Sequence, residues 1–147
     1  MTRINSSIPV HSLTDEHLFA EHREIKRLPF CLNMAMKSGS IKQIPEQFVL
    51  GKGHILFFLD KQRFIYKRYC RIFEELIDRG FRASEYHLNW KDLNATVYWN
   101  DYTPTDQENN LLVERIKERI LNSKKKCWHY YGKQISKENA VELLTKK

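Results

Sequence analysis

The sequence predicts an all-α fold of three principal helices, together with an ordered but irregular aromatic segment near the C-terminus. A chain of 147 residues with 41% hydrophobic and 12% aromatic content suits a single domain over residues 1–147 and can fill one hydrophobic core. Apolar residues recur at helical spacing in three separate stretches, and the sequence contains no internal repeat or low-complexity tract. These observations favour one compact helical domain.

The first helix is predicted from Ser12 to about Lys37, and either Ser12 or Thr14 can cap it. Its apolar residues follow helical periodicity: Leu18, Ile25, Leu32 and Met36. Pro29 falls inside this run, where a proline removes one main-chain hydrogen bond and crowds the carbonyl four residues earlier. We therefore expect a kink or a break at Pro29.

The second predicted helix is amphipathic and ends before Gly80, a residue type suited to the C′ position. Its apolar face comprises Ile65, Tyr69, Ile72, Phe73, Leu76 and Ile77. Its charged face comprises Lys61, Arg63, Lys67, Arg68 and Arg71. The stretch from Arg82 to Asp101 is irregular in pattern and is predicted to be a loop, including its strand-like portion from Tyr86 to Trp90.

The third helix is predicted from a capping-box arrangement, in which Thr105 precedes Glu108 by three residues. Pro104 lies just before it, and the apolar periodicity ends near Asn122. Ser136 can cap a short final helix over residues 137–144. The chain should therefore close with a helix after its aromatic segment.

The charge balance favours a polyanionic partner. The 25 lysines and arginines against 18 acidic residues give a net charge of +7, which by itself does not separate DNA from RNA or anionic lipid. Three widely spaced cysteines (Cys31, Cys70 and Cys127) form no metal-binding motif and suit a reducing compartment. No signal peptide or membrane span is apparent, so we expect a soluble, cytoplasmic protein without a membrane partner.

Several residues suit chemistry on DNA, although each also has an ordinary structural explanation. His17, Glu21 and Glu24 lie within about 60° of one another on the first helix, a pattern that a solvated face would also give. Arg23 and Arg27 form a neighbouring stripe that could serve only as salt-bridge partners.

The other basic and aromatic clusters are equally open to two interpretations. Arg115 and Arg119 could contact phosphate or only aid solubility. The aromatic run from Trp128 to Tyr131 could stack on bases or fill a core. Removal of Met1 would give Thr2 an α-amine with a pKa of roughly 7.7–8.0, partly neutral and nucleophilic at cell pH.

Six blocks occur in a fixed order with compatible spacing and together identify a resemblance. They are Met1-Thr2-Arg3-Ile4-Asn5, Asp15-x-His17-Leu18-x-Ala20-Glu21-x-Arg23-Glu24, Leu50-Gly51-x-Gly53-His54-x-x-Phe57-Phe58-x-Asp60-Lys61, Arg79-Gly80-Phe81, Asp101-Tyr102-x-Pro104 and Tyr130-Tyr131-Gly132-Lys133. The chain thus resembles the phage pyrimidine-dimer DNA glycosylases, the ultraviolet-repair endonuclease V family, from residue 2 to about 135. The deoxyinosine endonuclease that shares this name is a different enzyme.

The resemblance implies a monomeric, single-domain helical enzyme that acts on double-stranded DNA containing pyrimidine dimers or abasic sites, without metal or other cofactor. It implies that the Thr2 amine forms an imine with the sugar and that Glu24 is the catalytic acid. One enzyme would then act as both glycosylase and abasic-site lyase. The residues it implies in DNA binding are Arg3, His17, Arg23, Arg27, Arg115, Arg119, Tyr130, Tyr131 and Lys133.

The chain departs from the family pattern at the first helix, which is reached one residue later and has its proline at Pro29, and in three further places. Residues 33–49 show little similarity, and residues 136–147 extend beyond the family's usual end. The aromatic tail is altered so that either one residue is missing or Cys127 stands where a tryptophan is expected. Two other functions stay open: a non-catalytic helical binder of damaged DNA, and a glycosylase or lyase that prefers ring-opened purines or abasic sites.

Overall fold

The computed structural model describes residues 4–145, and within this range the predicted all-α fold is confirmed. The helices are α1 (Asp15–Ile25), α2 (Leu28–Ser38), α3 (His54–Phe58), α4 (Gln62–Asp78), α5 (Asp106–Asn122) and α6 (Lys137–Thr145). A small antiparallel hairpin of β1 (Cys127–Tyr130) and β2 (Lys133–Ser136) precedes α6. None of the described helices is both long enough and apolar enough to cross a membrane.

The first predicted helix is broken, as expected, but the break lies at Lys26 and Arg27 rather than at Pro29. Pro29 instead falls in the first turn of α2, where its missing N–H costs no intrahelical hydrogen bond. Thr14 is the cap of α1, because its side chain accepts a hydrogen bond from the His17 N–H. Ser12 belongs to a short 3-10 turn before that cap.

Helix α4 supplies the centre of the hydrophobic core. Ile65, Tyr69, Ile72 and Leu76 are fully buried, which confirms most of the predicted apolar face. Ile77 is largely exposed, so its assignment to that face is wrong. The predicted stop is confirmed, because Gly80 has a φ of 88°, in the left-handed region, and its N–H donates to the carbonyl of Ile77.

Arg68 was predicted to lie on the charged face of α4, but it is buried. Arg68 is only 6% exposed, because it reaches across to Glu21 of α1. Helices α1 and α4 therefore face each other across a buried ion pair as well as across apolar side chains.

Helix α5 begins and ends where the sequence predicts. The Thr105 hydroxyl accepts a hydrogen bond of 3.2 Å from the Glu108 N–H, which confirms the cap. The Glu108 carboxylate does not return to Thr105; it accepts a hydrogen bond from the Tyr102 hydroxyl. The Thr105 motif thus correctly predicted where α5 begins, whereas the Glu108 side chain links α5 to the preceding loop.

The region between α4 and α5 contains no strand, as predicted, and includes two short 3-10 turns. Trp90 anchors this region, since its indole N–H donates to the Gln62 side chain in the core. The short helix α3 was not predicted, because five residues give too little periodicity to recognise.

The aromatic segment predicted to be irregular is instead the β1–β2 hairpin, in which Trp128 pairs with Ile135. Its two-residue turn places Tyr131 at φ 54° and Gly132 at φ 76°, the left-handed geometry that matches the twist of paired strands. The predicted final helix is confirmed as α6, and the Ser136 hydroxyl accepts from the Asn139 N–H at 3.1 Å.

Candidate active site and nucleic-acid interface

A cavity of about 140 Å³ lies between the N-terminal segment, α1, α3 and α5. Its lining residues are Ile4, Asn5, His17, Ala20, Glu21, Leu50, His54, Leu112, Arg115, Ile116 and Arg119. Three of the residues predicted to contact DNA, His17, Arg115 and Arg119, therefore meet around one opening. This arrangement unites residues that are about one hundred positions apart in the sequence.

The N-terminal segment is anchored beside this cavity by three buried polar contacts. The main-chain N–H of Ile4 donates to Nε2 of His54 at 3.1 Å, and Nδ2 of Asn5 donates to Oε1 of Glu21 at 3.1 Å. The carbonyl of Ile8 accepts from Nη1 of Arg68 at 2.6 Å. Thr2 and Arg3, predicted as nucleophile and DNA contact, lie outside the described residues.

Glu21 is the most deeply buried acid of this region, and its oxygens are already engaged. Arg68 donates Nε to Oε2 at 2.8 Å and Nη2 to Oε1 at 2.9 Å, a bidentate pair. A buried carboxylate needs such partners, because water no longer solvates it. Glu21 therefore holds α1, α4 and the N-terminal segment together rather than offering a spare acid.

Glu24 lies one turn further along α1 and is the partly exposed acid of the same helix face, with 25% of its side chain accessible. Its Oε2 is 3.4 Å from Nη1 of Arg27, whose side chain is 56% exposed. Glu24 is not among the residues that line the cavity, although it shares a helix face with His17 and Glu21, which do. Glu24 and Arg27, which were predicted separately as a catalytic residue and a DNA contact, thus form a pair that is accessible to a large ligand.

His17 connects the cavity to the C-terminal hairpin. Its ring stacks on Trp128 with centroids 5.0 Å apart and planes at 11°, and its Nδ1 is 2.9 Å from the Thr14 hydroxyl. Trp128 is only 7% exposed, so its ring fills the core in this structure. Of the two roles considered for the aromatic run, base stacking and core packing, Trp128 therefore has the second.

Arg115 and Arg119 lie one turn apart on α5 and both face the cavity. Burial, followed by the neighbouring charge of Arg115, lowers the pKa of Arg119 below its ordinary value. Two guanidinium groups side by side create a positive potential. The cavity mouth is therefore suited to an anionic group such as phosphate.

Tyr130 and Tyr131 pack on a buried arginine network instead of lining the cavity. The guanidinium of Arg79 lies 4.7 Å from the Tyr130 ring and 4.9 Å from the Tyr131 ring, and it pairs with Asp15 at 2.8 Å. The Asp15 carboxylate also accepts from both main-chain N–H groups of the turn, at Tyr131 and Gly132. These bonds offset the cost of a left-handed tyrosine and fix the hairpin against α1.

A shallow groove runs along the opposite side of α1, next to the hairpin. Arg23 and His129 line it, together with Glu16. Of the predicted DNA contacts, His17, Arg115 and Arg119 form a cavity group and Arg23 belongs to the groove, while Lys133 is exposed on the hairpin itself. A ligand that contacted both groups would have to span α1.

Glu16 belongs to this groove and was missed by sequence reasoning, as were the roles of Asp15, Arg79 and His54. Partial burial opposes ionisation of Glu16, but hydrogen bonds from His129 and Lys125 outweigh it and lower the pKa of Glu16 to about 2. No local signal could have revealed this contact, because Glu16 and His129 are 113 positions apart. Within residues 4–145, no cluster of His, Cys, Asp and Glu side chains is suited to hold a metal ion.

The fold and this geometry define a basic helical protein whose N-terminal segment enters an arginine-lined cavity. The model of the family described as pyrimidine dimer DNA glycosylase matches residues 1–92, which is more than half of the chain. The chain therefore belongs to the pyrimidine dimer DNA glycosylase family. This confirms the resemblance found in the sequence and makes the protein a DNA-repair glycosylase of a family that acts on DNA containing pyrimidine dimers.

Proposed function

We propose that this protein excises cyclobutane pyrimidine dimers by attack of the Thr2 amine on the deoxyribose and then cleaves the abasic strand by β-elimination. The observation that carries the proposal is the anchoring of Ile4 and Asn5 beside a cavity flanked by Arg115 and Arg119. The described part of the chain thus begins beside groups suited to phosphate, two residues after the proposed nucleophile. The family match also includes this end of the chain, since it covers residues 1–92.

In the proposed reaction, the amine lone pair of Thr2 attacks C1′ of the 5′ nucleotide of the dimer. The glycosidic C1′–N bond breaks and the base leaves with the electron pair. Loss of a nitrogen proton then lets the nitrogen lone pair open the sugar ring: the C1′–O4′ bond breaks, O4′ takes that electron pair and a proton, and a protonated imine forms. The imine acidifies the C2′ proton. Its removal breaks the C3′–O bond, the phosphate departs with that electron pair, and water releases the amine by hydrolysis.

Glu24 is the proposed acid–base residue of these steps. A partly exposed carboxylate can stabilise positive charge at the sugar and transfer protons during imine formation and elimination. Glu21 is less suited, because two hydrogen bonds from Arg68 and one from Asn5 occupy its oxygens. The difference in burial between these acids on one helix face supports Glu24.

Five of the proposed DNA contacts form two sets, one on each side of α1. Arg115, Arg119 and His17 would hold backbone phosphate at the cavity, while Arg23 and Lys133 would do so along the groove and hairpin. The remaining proposed contacts are Arg3, Arg27, Tyr130 and Tyr131. Binding on both sides of α1 would favour a kinked duplex, in which a damaged step unstacks at lower cost.

Reductive trapping on a defined duplex tests the reaction and the substrate together. Sodium borohydride should link the protein covalently to a duplex carrying one dimer, and peptide mapping should locate the link at Thr2. Chemical blocking of the terminal amine is the matched control and should abolish trapping. Binding without any trapped species, under conditions where the amine is free, would leave the non-catalytic binder as the function.

Parallel duplexes distinguish the remaining substrate alternative. Base excision should be faster on the dimer than on a ring-opened purine, and strand cleavage should occur at a pre-formed abasic site. Strong cleavage of abasic or ring-opened sites with no dimer excision would replace the proposed substrate. A size measurement of the protein–DNA complex would test the expected monomer.

A further inference from the structure

His54 is the single side chain that contacts the main chain of Ile4 among the hydrogen bonds of the described segment 4–145. The ring is 3% exposed, and Ile4 is fully buried. The other ring nitrogen, Nδ1, is 2.9 Å from the carbonyl oxygen of Val49. A carbonyl only accepts, so Nδ1 carries the proton and Nε2 is left as the acceptor for the Ile4 N–H.

The surroundings of His54 hold the ring in this orientation. The rings of Phe48 and Phe58 contact it edge to face, with centroids 5.4 and 5.3 Å away. His54 also begins α3 directly after Gly53, whose φ of 90° sets the start of that short helix. The acceptor is therefore rigid, as a positioning group has to be.

The bond to Ile4 restricts where the terminal amine can be. One residue of extended chain spans at most about 3.3–3.6 Å, so two residues can carry a chain terminus at most about 7 Å from an anchored nitrogen. Attack on a sugar carbon needs the reacting atoms about 3–3.5 Å apart, and a misplacement of about 1 Å can cost about a hundredfold in rate. A loose Ile4 would therefore be costly for a reaction at the chain terminus.

We propose that His54 is a positioning residue for the terminal amine: the neutral ring fixes the Ile4 amide beside the cavity, and protonation of Nε2 releases it. This proposal rests on the function proposed above, in which Thr2 is the nucleophile. It assigns His54 no contact with DNA. It makes the position of the amine depend on the charge of His54, which bonds the main chain two residues after Thr2.

The sign of the pH dependence follows from the groups that face the ring. Burial is the largest effect and lowers the pKa of His54 below 6.5, and Arg115 on α5 lowers it further. Glu21 on α1 and the carbonyl of Val49 act in the opposite direction. A protonated ring would point an N–H at the N–H of Ile4, so the anchor holds at neutral pH and is lost as pH falls below the ordinary histidine range.

The test compares His54→Gln and His54→Phe with the wild-type protein in single-turnover trapping on a one-dimer duplex, from about pH 4.5 to 8, with sodium cyanoborohydride as a reductant that survives in acid. The glutamine oxygen can accept from the Ile4 N–H but does not titrate in this range, whereas phenylalanine keeps a ring and removes both hydrogen bonds. His22→Gln is the matched control, because His22 is also buried but bonds the Ser84 carbonyl. DNA affinity and the thermal midpoint are measured for every variant.

His54→Phe should slow trapping at pH 7.5 by about tenfold or more while its DNA affinity stays within about threefold. His54→Gln should trap at the wild-type rate at pH 7.5. On the acid side, the slope of its log trapping rate against pH should be lower by about one than the slope for the wild-type protein and for His22→Gln. A folded His54→Phe protein that traps at the wild-type rate would overturn the proposal. The proposal would also be overturned if the trapping rate of His54→Gln fell as steeply in acid as that of the wild type. This comparison can be made even if His54→Phe does not fold.

Failure of the proposed function is a separate result. If the wild-type protein traps no DNA at any pH, the terminal-amine reaction is refuted and His54 has no amine to position. If the wild type traps and the His54 variants behave like it, only the positioning role is refuted.

Discussion

Removing Arg68 should destabilise the fold far more than removing any exposed arginine. Arg68→Met deletes two hydrogen bonds to Glu21 and one to Ile8, and it leaves the fully buried Glu21 carboxylate with only the amide of Asn5. Breaking a buried ion pair on one side typically costs about 3–5 kcal/mol, because the remaining charge stays desolvated. In a domain of about 150 residues, that corresponds to a fall of roughly 6–20 °C in the thermal midpoint.

Urea unfolding followed by far-ultraviolet circular dichroism measures this loss. Arg71→Met, on the same helix but outside the pair, is the matched control and should change the unfolding free energy by less than about 0.5 kcal/mol. Glu21→Met/Arg68→Met should recover much of the lost stability, because neither charge is then stranded. A loss below about 1 kcal/mol for Arg68→Met would refute the view that this pair holds the N-terminal segment in place.

Three other predictions concern the site and its two flanks. Glu24→Gln should keep dimer-DNA affinity within about threefold but reduce single-turnover base excision by about a hundredfold or more, and unchanged excision would contradict its role. Arg115→Ala should weaken binding to damaged and undamaged duplexes alike and lower the salt slope by about one, which affinity titrations at several salt concentrations measure; an unchanged slope would mean that no phosphate is bound there. Glu16 has its pKa lowered from 4.5 to about 2, so its contribution to stability is complete above pH 4.5 and is lost as pH falls through about 2. Glu16→Gln should therefore cost about 1 kcal/mol at pH 7 and much less near pH 2, and an equal cost at both pH values would argue against the charge as the cause.

Helix boundaries were predictable where short-range chemistry sets them. The Thr105 cap, the Gly80 stop and the Ser136 cap each depend on residues within about four positions, and each is found in the structure. Pro29 also correctly predicted that the first helix is broken. Its place was wrong by two or three residues, because proline is accommodated in the first turn of a helix and not at its end.

The hairpin shows why the aromatic segment was harder to predict. Four-residue strands carry little periodicity, and a tyrosine in the left-handed region is not an expected turn residue. Its conformation is supported by Asp15, which accepts from the N–H groups of Tyr131 and Gly132 and lies 116 positions from the former. Such support cannot be seen in the local sequence.

The sequence alone determined the helical fold class, most helix ends and, through six ordered blocks, membership of the pyrimidine dimer DNA glycosylase family. Only the tertiary structure decided that Arg68 is buried against Glu21 and that His54 holds the main chain of Ile4. The physical reason is the separation in sequence over which each kind of interaction acts. Capping and periodicity act over one or two turns, whereas these contacts join residues 47 and 50 positions apart and exist only after the helices have packed.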